Sequence, residues 1–245
     1  MGALLSLFWG FIGGVSLLIG AVIGLYAGAS QRVISAIMSL GAGILVASVA
    51  FELMEKAFRA GGFDATALGL AAGSLTFFFA DAAVSRSGGQ HRKRSQGQQS
   101  GGSGTAIAIG ALLDGIPESM AIGIGLLQGQ QVSAVMIAAV FLSNVPESLS
   151  AASGMKKAGH SKRYILLLWS GVVLISALSS CIGYIALADA SGDVLGGIQA
   201  FAAGAILTML SSTMLPEAYE SGGAVIGVLT TLGFLAAFVL GHISG

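Results

Sequence analysis

The sequence predicts an all-α polytopic membrane protein with eight transmembrane helices and both termini on the outer side. Of its 245 residues, 55% are hydrophobic and only 9% are charged, whereas a soluble domain normally carries about a quarter charged residues. Apolar stretches long enough to span a bilayer recur along the whole chain, and basic residues cluster between alternate stretches. The lipid bilayer is therefore the first expected partner, and no nucleic acid is expected.

Eight stretches have about the 20 mostly apolar residues that a membrane-spanning helix needs. They are predicted at 4–28, 33–57, 65–84, 105–127, 132–155, 164–188, 197–215 and 223–242. Residues 1–84 thus hold the first three helices, and residues 105–245 hold the other five. Between them, residues 85–104 are polar and of low complexity, which predicts a flexible cytoplasmic loop.

Basic residues predict the orientation, because short cytoplasmic loops carry an excess of lysine and arginine. Lys56 and Arg59 fall on one side of an eight-helix arrangement. The other nine basic residues fall on the opposite side: Arg32, Arg86, Arg92, Lys93, Arg94, Lys156, Lys157, Lys162 and Arg163. That side is predicted to be cytoplasmic, and the protein is placed in a cell membrane, plasma or inner, as a multi-pass protein.

A duplicated motif lies in the fourth and fifth predicted helices, as LLDGIPESMAIGIGL and FLSNVPESLSAASGM. Asp114 and Glu118 are four residues apart, so they share one helix face. Ser143, Asn144 and Glu147 form the matching face of the next helix. Consecutive spans run antiparallel, and both motifs are near the middle of their spans, so the two faces are expected at similar depth.

The prolines of this motif interrupt the backbone hydrogen bonds of both helices. Each removes one amide donor and frees the carbonyl four residues earlier, at Leu113 and Leu142. Interrupted backbone at mid-membrane is tolerated where it lines a polar site.

Three carboxylates in adjacent membrane helices need compensation, because an ionised carboxylate at the bilayer centre costs several kcal/mol or more. No lysine, arginine or histidine is expected at their depth. Protonated carboxylates bonded to the freed carbonyls would be a purely structural solution. A divalent cation held by oxygen atoms from two helices explains the duplication better, and the sequence predicts such a site between helices four and five.

The paired motif resembles the HNxPEG-type motifs of the ZIP (Zrt/Irt-like) family of divalent metal transporters, prokaryotic type. The resemblance extends to the span count, the histidine-containing loop after span three and the LPEA stretch near the end of span seven. It implies a metal centre between spans four and five, a homodimer, and alternating access by sliding of a four-helix unit. The implied substrate is zinc, with the metal ligands Asp114, Glu118, Asn144, Glu147 and Ser143.

Four positions depart from the family pattern. Asp114 and Gly115 replace the usual His-Asn pair, Ser143 stands where histidine is common, and Ser176 aligns with a glutamate that completes a second metal position. Imidazole suits zinc, whereas carboxylate and carbonyl oxygens suit manganese. Manganese, iron and cadmium therefore stay open as alternative substrates, and the second metal position is expected to be weakened.

Other acidic residues are candidates for the path of the ion. Glu52, with Glu55 beside it, is a candidate entrance near the outer end of span two, although a solvated helix end explains it equally well. Asp81 and Glu217 are candidate exit positions near the inner ends of spans three and seven. His91 fits the basic cluster of its loop better than a metal tether.

The predicted function is transport of a divalent transition-metal cation towards the cytoplasm. The alternative is a transport-deficient ZIP-like protein that binds metal as a sensor or scaffold. An enzyme is not expected, because the membrane segments have neither the motifs of an aspartyl protease nor a serine–histidine pair. The single cysteine, Cys181, excludes an intrachain disulfide and a cysteine metal cage.

Overall fold

The computed structural model describes residues 1–27, 29–89, 104–127 and 134–244, and the regular elements in this part of the chain are all helical. They are nine α-helices and three short π-helical segments. The α-helices are α1 (Gly2–Tyr26), α2 (Gln31–Ser48), α3 (Met54–Val84), α4 (Gly104–Leu127), α5 (Ala134–Lys157), α6 (Lys162–Ala186), α7 (Gly192–Met209), α8 (Leu215–Gly222) and α9 (Val225–Ser244). The π-helical segments are π1 (Val49–Leu53), π2 (Ser85–Gly89) and π3 (Leu210–Met214).

Within the described residues, seven helical runs are long and apolar enough to cross a membrane. This confirms the prediction of an all-helical, multi-pass membrane protein. The run count differs from the predicted eight because Gln31–Ser87 forms one continuous helical run of 57 residues. A straight helix of that length would measure about 85 Å, against about 30 Å for the hydrocarbon core of a bilayer.

The 57-residue run folds back on itself at Gly62. This residue has φ 67° and ψ −169°, a backbone conformation that glycine adopts without a steric penalty. Just before it, Ala57 packs against Gly196 of α7, and Ala60 packs against Gly192 at the very start of α7. After Gly62, the contacts move back along α7 towards its C-terminus, and Gly73 packs against Phe201. The helical parts on the two sides of Gly62 therefore run in opposite directions along α7.

Several predicted boundaries are corrected by the structure. The predicted span 33–57 continues to the break at Gly62, and the predicted span 197–215 lies within a helical run, Gly192–Gly222, that ends at a second positive-φ glycine, Gly223. At the two ends of the predicted loop 85–104, π2 and the first residue of α4 are helical. Residues 90–103, with His91, lie outside the described residues, as do residue 28 and residues 128–133.

The first and last thirds of the described chain repeat one arrangement of elements. An offset of 161 residues relates the two parts. It relates Gln31 to Gly192, where α2 and α7 begin, and Val49 to Leu210, where π1 and π3 begin. It also relates Gly62 to Gly223, the positive-φ glycines that follow the short helices 54–61 and α8. α1 and α6 precede these elements and have 25 residues each. The contacts of α1 and α6 run antiparallel, so the two halves are inverted relative to each other.

The helices pack as two groups. α1, α4, α5 and α6 form a four-helix group with its own apolar core, which includes Leu17, Ile107, Met155 and Trp169. In the other group α2 packs against α9, and α7 packs against residues 63–84 of α3. Each of these pairs joins one helix from the first half to one helix from the second half. α2 packs against α5, and α7 against α4, which joins the two groups.

Small residues and hydroxyl groups hold neighbouring helices together. Because lipid is as apolar as a leucine side chain, helices in a membrane associate through close packing and interhelical hydrogen bonds. Ser6 of α1 and Ser180 of α6 exchange hydrogen bonds, because each hydroxyl donates to the other residue's carbonyl, at 2.8 and 3.0 Å. Thr208 of α7 bonds Ser74 across the other group at 2.8 Å.

The described basic residues on α5 and α6 gather at one end of the bundle. Lys156 Nζ donates to the Leu25 carbonyl near the C-terminus of α1, at 2.7 Å, which places a cation at the negative end of the helix dipole. Lys162 Nζ lies 4.6 Å from the centre of the Tyr26 ring.

Glycines of α9 provide a matched test of this close packing. A Cβ at Gly233 would lie 2.1 Å from the Leu40 carbonyl oxygen of α2, whereas a Cβ at Gly227 would meet nothing within 4 Å. Gly233→Ala should therefore destabilise the fold by about 1–3 kcal/mol through overpacking. Gly227→Ala should leave it unchanged or add up to about 1 kcal/mol from helix propensity. Thermal unfolding in detergent measures both, and equal effects would contradict the packing of α2 against α9.

Candidate metal site

The duplicated motif lies inside the bundle on α4 and α5. Asp114 is 5% exposed, Glu118 is 2% exposed and Glu147 is 4% exposed. Carboxyl groups are almost never buried to this extent unless they are paired or bound. Ser143 and Asn144 are buried beside them at 1% and 6% exposure. The structure thus places all five predicted ligands in the interior.

Gly13 of α1 fixes the relative depth of the two motif helices. A Cβ on Gly13 would lie 3.4 Å from both Ile122 of α4 and Val140 of α5. Ile122 is four residues after Glu118, and Val140 is four residues before Asn144. Since α4 and α5 run antiparallel, Glu118 and Asn144 both lie one turn, roughly 6 Å, to the same side of this level. The two motif faces therefore occur at the same depth.

The side-chain amide of Asn144 is held by α1. Its Nδ2 donates to the Gly13 carbonyl at 3.3 Å, and the hydroxyl of Ser16 donates to the same carbonyl. With the nitrogen turned towards α1, the Oδ1 atom of Asn144 points away from α1. Oδ1 is the atom through which an asparagine binds a cation.

The hydroxyl group of Ser143 is also oriented by a backbone contact. It donates to the Val140 carbonyl of its own helix at 3.0 Å. Its proton is therefore directed along α5, and the oxygen lone pairs remain on the other side. Ser143 can contribute an oxygen to a cation without losing this bond.

The carbonyl that Pro146 frees is packed against α2. A Cβ at Gly41 would lie 2.9 Å from the Leu142 oxygen and 3.0 Å from the Ser143 amide nitrogen. Only glycine allows the backbone of α2 to approach the interrupted turn this closely. The proline therefore creates a contact between the two helix groups directly beside the motif.

The three carboxylates do not converge as placed. Among the described residues, no group of three or more His, Cys, Asp or Glu side chains is arranged to hold a metal ion. Like charges without a cation between them repel, and the helix backbones already set the three side chains near one level. The metal site between α4 and α5 therefore stays a prediction.

Ser176 of α6 faces the same region. Its hydroxyl oxygen lies 3.4 Å from the position that a Cβ on Gly115 would take, and Ser176 is 1% exposed. Within the described part of the chain this hydroxyl has no hydrogen-bond partner. Ser176 is the residue that aligns with the glutamate of the second metal position in the ZIP pattern. At this position the chain has a neutral hydroxyl instead of a carboxylate.

Glu217 is connected to the motif helix. The hydroxyl of Ser150, on α5, donates to Glu217 Oε1 of α8 at 3.4 Å. Ser150 is three residues after Glu147, which is a rise of about 4.5 Å along α5. The predicted exit residue therefore lies next to the predicted site helix, one turn beyond the site.

The predicted entrance residues line a cavity of about 570 Å³ between α2, π1 and α9. Glu52 and Glu55 contribute carboxylates to it, and His242 contributes an imidazole. Glu52 is bonded to Lys56 at 2.7 Å, and Glu55 pairs with Arg59. These ion pairs offset part of the negative charge of the cavity. Asp81 is half-buried near the end of α3, and its role in exit stays a prediction.

Sequence reasoning missed two contributors to this region. Ser150 could have been found, because it follows Glu147 by three residues and lies on the same side of the helix. The Gly13 carbonyl could not, because a backbone acceptor on another helix leaves no mark in the sequence.

A scan against protein-family models gives no match for this chain, and a search of curated proteins finds no related sequence. The ZIP resemblance therefore rests on the motif residues named above.

Asn144 should stabilise the fold even without metal. Asn144→Ala removes the donor to the Gly13 carbonyl inside the bundle and should lower stability by about 1–3 kcal/mol. The control is Ser148→Ala, since the Ser148 hydroxyl donates only within α5, to the Asn144 carbonyl at 2.8 Å and the Val145 carbonyl at 3.2 Å. It should cost less than about 1 kcal/mol. Thermal unfolding in the presence of a chelator measures both, and an Asn144 variant as stable as the control would contradict the bond to α1.

Proposed function

We propose that the protein transports a divalent transition-metal cation across the membrane towards the cytoplasm. The observation that supports this most is the burial of Asp114, Glu118 and Glu147 at one level of two antiparallel helices. α4 contains no lysine, arginine or histidine, and the first basic residue of α5 is Lys156. Lys156 lies about 13 Å along the helix from Glu147, so it does not supply the compensating charge.

A divalent cation is the compensation that fits this arrangement. Ionised carboxylates in membrane helices mark ion and proton pathways far more often than they serve structure alone. Three carboxylates with amide and hydroxyl oxygens nearby form an oxygen donor set of the kind that binds divalent ions. Metal is here the substrate, and the oxygens of Asp114, Glu118, Ser143, Asn144 and Glu147 are its proposed ligands.

The proposed substrate is zinc first, because the motif resembles that of zinc-transporting ZIP proteins. The donor set itself contains only oxygen, which suits manganese and related harder ions better than imidazole does. Manganese, iron and cadmium are therefore the alternative substrates to be tested beside zinc.

The proposed topology has eight membrane crossings with both termini outside. The reversal of the chain at Gly62 supports it, because residues 31–61 and 63–89 then cross separately. The gathering of Lys156 and Lys162 near the C-terminus of α1 supports a cytoplasmic location for that end. The cavity beside Glu52 then opens on the outer side, and Glu217 lies on the cytoplasmic side of the site.

The proposed transport step is a displacement of the four-helix group against the other helices. An apolar cluster made only of residues from α1, α4, α5 and α6 supports this, since a group that moves as a unit needs packing of its own. The proposed assembly is a homodimer, as in the ZIP resemblance.

A metal-binding sensor or scaffold is the second candidate. It is favoured by Ser176, which gives the neighbouring helix a neutral hydroxyl instead of a third-helix carboxylate. A sensor would bind metal without moving it. Binding and uptake measured on the same preparation therefore separate the two functions.

The test of the site is Glu118→Ala and Glu147→Ala, measured by calorimetric zinc titration and by zinc uptake into proteoliposomes. Removing one metal ligand should lower affinity at least as much as removing an outer-shell partner does, by about a hundredfold or more. Both variants should also lose uptake. Asp64→Ala, which removes an exposed carboxylate from α3, is the control and should behave as the wild type.

Unchanged zinc affinity in both glutamate variants would refute the site. Wild-type binding without uptake of zinc, manganese, iron or cadmium would refute transport and leave the sensor.

The topology is tested by labelling single cysteines in a Cys181→Ala background. Gly101→Cys belongs to the predicted loop 85–104, and Ser191→Cys lies just before α7. With eight crossings, an impermeant thiol reagent should label the two positions from opposite sides of the membrane. Labelling of both from one side would exclude the eight-crossing arrangement.

A further inference from the structure

Both halves of the chain carry the same interruption at the same place. In each half an 18-residue helix, α2 or α7, runs into a five-residue π-helical segment. A short helix follows, formed by residues 54–61 in the first half and by α8 in the second. Each short helix ends at a glycine with positive φ, Gly62 or Gly223. Each therefore has an adjustable joint at both ends.

A π-helical segment differs from an α-helix by one residue of register. The Met54 amide donates to the Val49 carbonyl, and the Leu215 amide donates to the Leu210 carbonyl, five residues back in both cases. Return to α-helical bonding would turn the following helix by about 100°, the angle that one residue covers in an α-helix. Such segments occur frequently at functional sites.

The side chains of π3 make both registers tolerable in a bilayer. The hydroxyls of Ser211, Ser212 and Thr213 donate to the carbonyls four residues before them, at 2.9, 2.7 and 2.8 Å. A shift of register takes the amide partner from some of these carbonyls, and the hydroxyls replace it. The energy difference between the two registers is thereby reduced.

The equivalent segment of the first half has no hydroxyl group. Its sequence is VAFEL, and Phe51 packs on the rings of Phe234 and Phe238 of α9, with centroids 5.6 and 5.8 Å away. A rotation there would break these ring contacts and leave carbonyls without partners. The two segments thus share a backbone arrangement and differ in the side chains that can compensate a change of register.

We propose that α8 is a rotating helix whose orientation is set by π3, and that residues 54–61 are its fixed counterpart. In the π register Glu217, the third residue of α8, contacts Ser150 of α5. In the α register Glu217 turns away from α5, and this contact is lost. Control of metal exit by this rotation rests on the proposed function, whereas the rotation itself does not.

The rotation can be measured as a distance between two spin labels in a Cys181→Ala background. One label is placed at Tyr219 of α8, which is 59% exposed, and the other at Leu174 of α6, which is 61% exposed. In the matched control the first label is placed at Phe58 instead of Tyr219. Phe58 is the equivalent of Tyr219 at the offset of 161 residues and is 56% exposed. A turn of about 100° moves a side chain at the rim of a helix by on the order of 8 Å.

The Tyr219–Leu174 pair should show two distances separated by on the order of 8 Å, and the Phe58–Leu174 pair should show one. Ser211→Ala/Ser212→Ala/Thr213→Ala should reduce the π-register population of the Tyr219 pair at least tenfold and leave the Phe58 pair unchanged. If the triple variant folds poorly, Ser212→Ala alone should also reduce the π-register population. A single Tyr219 distance, unaffected by these substitutions, or two distances for the Phe58 pair, would overturn the proposal.

Zinc uptake by the same variants keeps this inference separate from the proposed function. Two Tyr219 distances in a protein that moves no metal would refute transport and leave the rotation. A single distance in a protein that transports zinc would refute the rotation and leave transport.

Discussion

Every backbone amide and carbonyl inside a bilayer needs a partner within the protein, because the hydrocarbon offers none. Two departures from regular helix among the described residues bear directly on that demand. The turn interrupted by Pro146 exposes the Leu142 carbonyl to close contact with Gly41 of α2. The π-helical segment of the second half has serine and threonine hydroxyls bonded to the carbonyls before it. In π3, side-chain hydroxyls therefore supplement the backbone amides as donors.

The same demand connects the candidate site to the rest of the fold. A carboxylate buried between helices is stable only with a partner, and the depth shared by Glu118 and Asn144 is set by a third helix, through Gly13. Packing of α1 against both motif helices thus determines which oxygens can meet. A cation held there would draw together side chains on α4 and α5 and would stabilise the four-helix group as one body. Cation binding and the stability of the four-helix group would then depend on the same contacts of α1 with α4 and α5.

The parts of this structure that were predictable from sequence are those with a local cause. Hydropathy alone indicates a helical membrane protein, and the duplicated motif alone indicates that Asp114, Glu118 and Glu147 belong to the interior of two consecutive helices. The sharp reversal at Gly62 was not predictable, since an AGG stretch inside a polar turn is compatible with a loop of several residues. Nor were the contacts of Ser150 with Glu217 and of Asn144 with Gly13. These depend on which helices become neighbours, and that choice arises from packing over the whole bundle.

The repeat shows why packing constraints and chemistry can diverge within one chain. Helix lengths, π-helical segments and positive-φ glycines recur at a constant offset, because the two inverted halves must cross the bilayer and pack against each other with the same geometry. The side chains on that backbone are not bound by this rule. The π-helical segment of the first half is VAFEL, which has no hydroxyl group, whereas that of the second half, LSSTM, has three. The proposed difference in mobility between the two short helices rests on these side chains.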